Sequence, residues 1–211
     1  MFLPQVIILS TQRSGTHLLQ SFLSRHPMIN GRGEMFLRYM RTGKLDSNLD
    51  GRINVGILMY SEIAVFLKMV ESLDNDLDLK IIHLLRDPGN VALSRLQMEA
   101  DKKMLGSSYQ AHFHTTEQED NYKKFINARK ALDSSRLDII TKQVTHDQYQ
   151  FTEMLKDTPH LQLYYEEIAP DNKPVEQLNK ETRNKLFNFL GLDAGDLTFY
   201  TTYIKTGIHH N

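Results

Sequence analysis

The chain has 211 residues, enough for one well-buried core and short for two, so a single domain spanning 1–211 is expected. Its 25 basic and 26 acidic residues leave a net charge of −1, which argues against a general nucleic-acid binder, since such proteins carry a basic excess. There is no cysteine, no apolar run near the ~20 residues of a membrane span, and no room for a signal peptide before the first strand, which together predict a cytoplasmic protein without disulfides or thiolate metal sites.

Val6 to Leu9 is an unbroken apolar run, the pattern of a strand buried on both faces and hence of a parallel sheet covered by helices. Ser10, Thr11, Gln12, Arg13, Ser14, Gly15, Thr16 and His17 follow, and beyond Gly15 the residues Leu18, Leu19, Phe22 and Leu23 fall at helical spacing. The polar segment is therefore a tight strand-to-helix turn. Its unpaired N–H groups and the positive end of the helix dipole converge on one spot, a seat for a phosphate or sulfate. Arg13 is the only cation of this loop, which lacks the lysine and leading glycine of a Walker-type sequence.

Arg13-Ser14-Gly15-Thr16 followed by two leucines resembles the 5′-phosphosulfate loop of sulfotransferases that use 3′-phosphoadenosine 5′-phosphosulfate (PAPS). The likeness extends along the chain. Protein-tyrosine sulfotransferases and bacterial carbohydrate sulfotransferases look like this loop, then a helix, then His-Pro, then Gly-Glu, and here His26-Pro27 and Gly33-Glu34 stand in that order. The resemblance implies that Arg13, Ser14, Gly15, Thr16 and His17 hold the cofactor and that Glu34 is the catalytic base. Taken alone, Glu34 also reads as a solvated loop carboxylate, and His17 as a surface residue of the first helical turn.

Met28 to Asn30 reads as a short second strand, and residues 36–50 as a short helix and a loop lining an acceptor groove. Residues 53–60 then read as a strand and 62–73 as a helix with Ile63, Phe66, Leu67 and Val70 on one side. Related enzymes often present a lysine from about this strand; here it has none, and Lys68 lies on the following helix. That departure puts more of the charge neutralisation on Arg13, with His17 as a partial substitute.

Residues 79–85 form the next buried strand, where His83 reads as a hydrogen-bonded core histidine rather than a ligand. Asp87 caps the helix that Pro88 opens. Arg86-Asp87-Pro88 with Ser94 eight residues past the arginine is the second point of resemblance, and it implies that Arg86 and Ser94 grip the 3′-phosphate. An arginine fork at a strand's carboxyl end and a hydroxyl two helical turns along can meet one phosphate; the alternative for Arg86 is a structural ion pair.

Residues 97–118 read as an irregular polar cover over the site, carrying His112 and His114 as possible acceptor contacts; without a third ligand nearby, no metal is expected. Residues 119–136 and 145–156 read as charge-rich packing helices and 161–165 as a strand, after which Tyr165 and Glu166 are either structural pillars or site residues. The segment ending in Leu190-Gly191-Leu192 is a terminal helix with Gly191 as its C-cap, and the tail 197–211 carries Lys205 and Gly207 where relatives bring a late basic loop.

Alternating strands and helices predict an α/β fold, a doubly wound central parallel sheet flanked by helices, P-loop-like, with its ligand at the strands' carboxyl ends. Both anion motifs follow strands directly. They are expected on one edge of the sheet, as a single bisphosphorylated nucleotide requires. The reaction implied is transfer of a sulfuryl group from PAPS to a hydroxyl of a glycan, glycolipid head group or small metabolite. Two rivals stay open: a P-loop kinase, which wants a loop lysine and magnesium ligands, and a non-catalytic nucleotide-binding module. The sequence carries no signal for the acceptor's identity or the oligomeric state.

Overall fold

Five strands, Val6–Ser10 (β1), Ile29–Gly31 (β2), Ile53–Met59 (β3), Lys80–Leu85 (β4) and His160–Tyr164 (β5), pair in the order β2-β3-β1-β4-β5, and every neighbouring pair is parallel. The computed structural model describes residues 5–42, 51–71, 79–105, 134–170 and 177–193. β1 lies at the centre and is buried along its whole length, as its apolar run requires. Its side chains alternate between two cores, as the two-residue repeat of a strand dictates. Val6 and Ile8 pack with Leu19, Phe22, Leu186 and Phe187 on one face, while Ile7 and Leu9 meet Phe36, Leu58, Phe66 and Leu155 on the other.

The helices that supply those layers are Thr16–Leu23 (α1), Met35–Thr42 (α2), Ile63–Glu71 (α3), Pro88–Leu105 (α4), Ser134–Leu155 (α5), Tyr165–Ile168 (α6) and Lys180–Leu190 (α7). α1 and α7 cover one face of the sheet, and α2, α3 and the end of α5 cover the other. The sheet is thus doubly wound, as expected. The chain leaves β1 to build outward in both directions, so the loops after β1 and its neighbour β4 flank the crevice at the strands' carboxyl ends.

Several boundaries differ from the sequence reading. Tyr60 leaves the strand for a short 3-10 turn, Tyr60–Glu62, because the Glu62 carboxylate accepts the Met59 N–H at 2.9 Å. β5 ends by the same device: Glu167 accepts the Tyr164 N–H at 3.0 Å, and Tyr165 opens α6 instead of closing the strand. Residues 97–105 are not irregular cover but the second half of α4, whose polar side chains form an exposed face over the buried Leu96 and Asp101. Residues 106–118, with His112 and His114, lie outside the described residues, as does most of the helix expected over 119–136.

α5 begins at Ser134, well before position 145. Its half-buried or buried positions Leu137, Ile140, Val144, Gln148, Phe151 and Leu155 recur every three or four residues, so one continuous stripe faces inward. The β-branched Ile139, Ile140 and Thr141 weaken its helical signal in the sequence. At the other end of the chain Gly191 is the left-handed C-cap of α7 with φ +74°, receiving the orphan carbonyls of Asn188 and Phe187 through its own N–H and that of Leu192. No helix among the described residues is long and apolar enough to cross a membrane.

Candidate functional site

The loop between β1 and α1 is stitched together from within. Ser10 donates its hydroxyl to Leu84 O at 2.5 Å, tying the ends of β1 and β4, and the buried hydroxyls of Thr11 and Ser14 pair at 2.8 Å. The Ser14 side chain is thus turned into the loop and fully buried. Arg13 sits at φ +70° and Gly15 at φ +91°. For the arginine, a residue with a Cβ in left-handed geometry, this is a local strain of about 1–3 kcal/mol, of the kind that clusters at functional sites. Gly15 is the N-cap of α1 and has no side chain to close over the first N–H groups; the first turn of α1 holds no acidic residue either. A Cβ on Gly15 would collide with the Tyr165 ring, so the loop closes tightly only with glycine there.

That same Tyr165 ring supports the second motif. The Arg86 guanidinium lies 4.1 Å above its centroid and donates from Nη1 to Arg13 O at 2.8 Å. Burial pulls Arg86 below the usual arginine range, and the neighbouring Tyr165 and Glu166 oppose that shift. Gln148 of α5 donates to Arg86 O at 2.8 Å, and Asp87 accepts Asn90 N–H at 2.8 Å, the helix cap expected of it. Ser94, two turns into α4, accepts from Arg13 Nε at 3.1 Å. Arg13, Arg86 and Ser94, spread over 81 positions of sequence, thus meet in one cluster. Among the described residues nothing accepts from the two terminal nitrogens of Arg13.

Glu34 stands on the turn between β2 and α2. Gly33, at φ +62°, donates its N–H to Gln20 Oε1 at 3.1 Å, and its carbonyl accepts from Ile57 N–H at 2.9 Å. The same Gln20 donates to Val55 O at 2.8 Å, so one buried amide of α1 clamps the turn against β3. His17 Nε2 lies 3.2 Å from Glu34 Oε1, and both side chains are partly open to solvent. Nearby Glu62 is buried; its carboxyl is raised above the usual range by burial, held down by the Met59 N–H, and raised further by the charge of Glu34.

Every candidate of the sequence reading falls within the described residues except those of the 43–50, 106–133 and 194–211 segments, the first of which holds the loop expected to line the acceptor groove. Two side chains turn elsewhere than expected. Arg13 reaches across to Ser94, and His17 faces Glu34 instead of the loop mouth. Lys68 is exposed on α3. Gln20, Gln148 and the ring of Tyr165 hold these groups in place, and only Tyr165, flanking a strand end, carried any sequence signal. Among the described residues no group of three or more His, Asp or Glu side chains is gathered as metal ligands are.

No protein-family model matches the sequence, and no curated protein matches it. Solved structures do. The chain is similar to a sulfotransferase from Alicyclobacillus acidocaldarius, with a TM-score of 0.55 and 17% identity over 95% of this chain and 87% of that one. It is likewise similar to the sulfotransferase domain of the curacin biosynthetic pathway, with a TM-score of 0.52 and 18% identity over 91% of this chain and 75% of that one. The central parallel sheet flanked by helices is a sulfotransferase fold, and the chain resembles sulfotransferases in its architecture.

Proposed function

We propose that the chain is a sulfotransferase that takes its sulfuryl group from PAPS and delivers it to a hydroxyl of a glycan, glycolipid head group or small metabolite. One observation carries this reading. Arg13 is anchored by Nε on Ser94 and by its carbonyl on Arg86, which leaves both of its terminal nitrogens without a protein acceptor among the described residues, beside a helix N-terminus capped by glycine. Two arginines, a hydroxyl and a helix N-terminus are the donor set that a nucleotide with two anionic ends requires.

When bound, PAPS supplies an activated sulfuryl group whose leaving group is a phosphate. Arg13 and the N–H groups of residues 14–17 stabilise the charge that builds on the sulfuryl oxygens and on that phosphate, ordinarily the largest catalytic contribution. Arg86 and Ser94 hold the second phosphate. Glu34 takes the proton of the acceptor hydroxyl as its oxygen attacks, a contribution of ~10²–10⁴ in typical general-base catalysis. The elements that carry these groups are rigid strand ends and helix starts, which favours positioning as the remaining source of rate.

Thermal melting with candidate ligands tests the assignment, since a ligand at a hundred times its dissociation constant adds about 2.7 kcal/mol. Stabilisation by 3′,5′-adenosine bisphosphate without magnesium is the expected result. Stabilisation by magnesium-ATP instead, with none by the bisphosphate, overturns the reading in favour of a kinase. Radiolabelled PAPS offered with a panel of sugars, alcohols and phenols then identifies the acceptor; Glu34→Gln is expected to lose transfer, and undiminished transfer by that variant refutes the base assignment.

A further inference from the structure

We propose that the side chain of His17 is the positioning group of the catalytic base: it grips one carboxylate oxygen of Glu34 and thereby presents the other to the acceptor hydroxyl, while only its backbone N–H belongs to the anion seat. This rests on the reading of Glu34 as that base. The placement follows from the side of α1 on which His17 lies. Residues 17, 20 and 24 succeed one another at helical spacings of three and four, so they form one row. Every member of that row faces the end of β2 or the turn that follows it: His17 meets Glu34 Oε1 at 3.2 Å, Gln20 takes Gly33 N–H at 3.1 Å, and Ser24 lies so close to Gly31 that a Cβ there would collide with its Oγ. The anion seat, by contrast, is built from the end of the helix and from the Arg13 side chain, which is directed to Ser94.

The chemistry fixes the direction of the bond. An ionised carboxylate accepts only, so His17 Nε2 carries the hydrogen and donates it to Oε1. Glu34 is about one-third exposed, and a glutamate in such a place is spread over several rotamers, an ordering cost of ~1–2 kcal/mol for a long side chain. The Gln20 clamp restrains its backbone, and the His17 hydrogen bond restrains its carboxylate at Oε1. In the reaction the acceptor O–H bond breaks, its proton passes to the second oxygen of Glu34, the acceptor oxygen bonds to sulfur, and the sulfur–oxygen bond to the leaving phosphate breaks with its electron pair. The His17 hydrogen bond persists throughout on Oε1.

Two substitutions separate this role from a place in the anion loop. His17→Phe keeps a ring of similar size and removes the donor, while His17→Gln restores an N–H at similar reach. Calorimetric affinity for 3′,5′-adenosine bisphosphate, melting temperature, and kcat and KM for the acceptor returned by the panel are measured for both, alone and with Glu34→Gln. The phenylalanine variant is expected to lose about 10- to 100-fold in kcat, the size of effect that a misplaced reacting group produces, with bisphosphate affinity unchanged. The glutamine variant is expected to regain most of that loss, and His17→Phe to cost nothing further once Glu34 is glutamine. Loss of bisphosphate affinity in step with the loss of kcat overturns the proposal, as does an additional loss in the Glu34→Gln background. A slow Glu34→Gln beside a fast His17→Phe removes this proposal alone, whereas a Glu34→Gln enzyme as fast as wild type removes the base and the proposal together.

Discussion

Acidification is expected to destabilise the fold through His83. This residue is fully buried in β4, with Nε2 against the Tyr60 hydroxyl at 2.5 Å and Nδ1 buried without a partner among the described residues. Burial, with neighbouring His160 adding to it, pushes the imidazole down from the usual 6.5 to about 4. An unfolded chain binds a proton on this group below about pH 6.5, and the folded chain declines it until about pH 4, so stability is whole above that window and falls as the pH drops through it. The gap corresponds to about 3 kcal/mol in full and about 2 kcal/mol by pH 5, a large share of the ~5–15 kcal/mol that holds a typical domain. Urea unfolding at about pH 7.5 and about pH 5 measures it in the wild type and in the double variant His83→Leu, Tyr60→Phe. Both partners are changed because the histidine alone would leave the Tyr60 hydroxyl buried without its acceptor, a separate cost of about 1–3 kcal/mol. Phenylalanine keeps the stack of position 60 on Phe151, whose rings lie 3.9 Å apart. The double variant is expected to lose about 2 kcal/mol less than wild type between the two pH values; an equal loss in both proteins refutes the reasoning.

Three further substitutions probe the site. Gly15→Ala places a side chain at φ +91° and against the Tyr165 ring, costing about 1–2 kcal/mol for the backbone and about 1–3 kcal/mol for the crowding; urea unfolding reads the sum, and bisphosphate affinity is expected to fall with it because the same ring carries Arg86. Arg86→Lys gives up the flat stack on Tyr165 and the reach to Arg13 O, and calorimetry is expected to show bisphosphate affinity lower by about 1.5–3 kcal/mol, the worth of a hydrogen bond to a charged group. Gln20→Met leaves Gly33 N–H without its acceptor while Val55 O keeps the Arg32 N–H, so a stability loss of about 1–3 kcal/mol is expected, with kcat falling more than bisphosphate affinity; equal losses of both would mean that the clamp serves the whole site rather than the Glu34 turn.

Much of the frame is local and was legible. Four apolar residues before a glycine-bearing polar turn specify a buried strand feeding a helix N-terminus, Asp87-Pro88 specifies a helix start, and Gly191 a helix end, because each signal acts within a few residues of backbone. From parallel strands alone it also followed that the loops after β1 and β4 share an edge. Composition misled where exposure governs it: the second half of α4 looked like loop because a helix face turned to water is polar.

The candidate site divides in the same way. Arg13, Arg86, Ser94 and Glu34 could be nominated by type and spacing, but not the directions of their side chains. That Arg13 reaches Ser94, 81 positions away, depends on β4 pairing beside β1, and that His17 meets Glu34 depends on the row of α1 that lies along the end of β2. Gln20 is an ordinary glutamine in an amphipathic helix until β3 and the Gly33 turn are folded against it. Sequence by itself determined the order in which strands and helices alternate and which residue types stand at the sheet's carboxyl edge, because backbone preference and hydrophobic period are short-range. Only the tertiary structure decided which of those side chains face one another, because that is set by strand order and by which face of a helix the core claims.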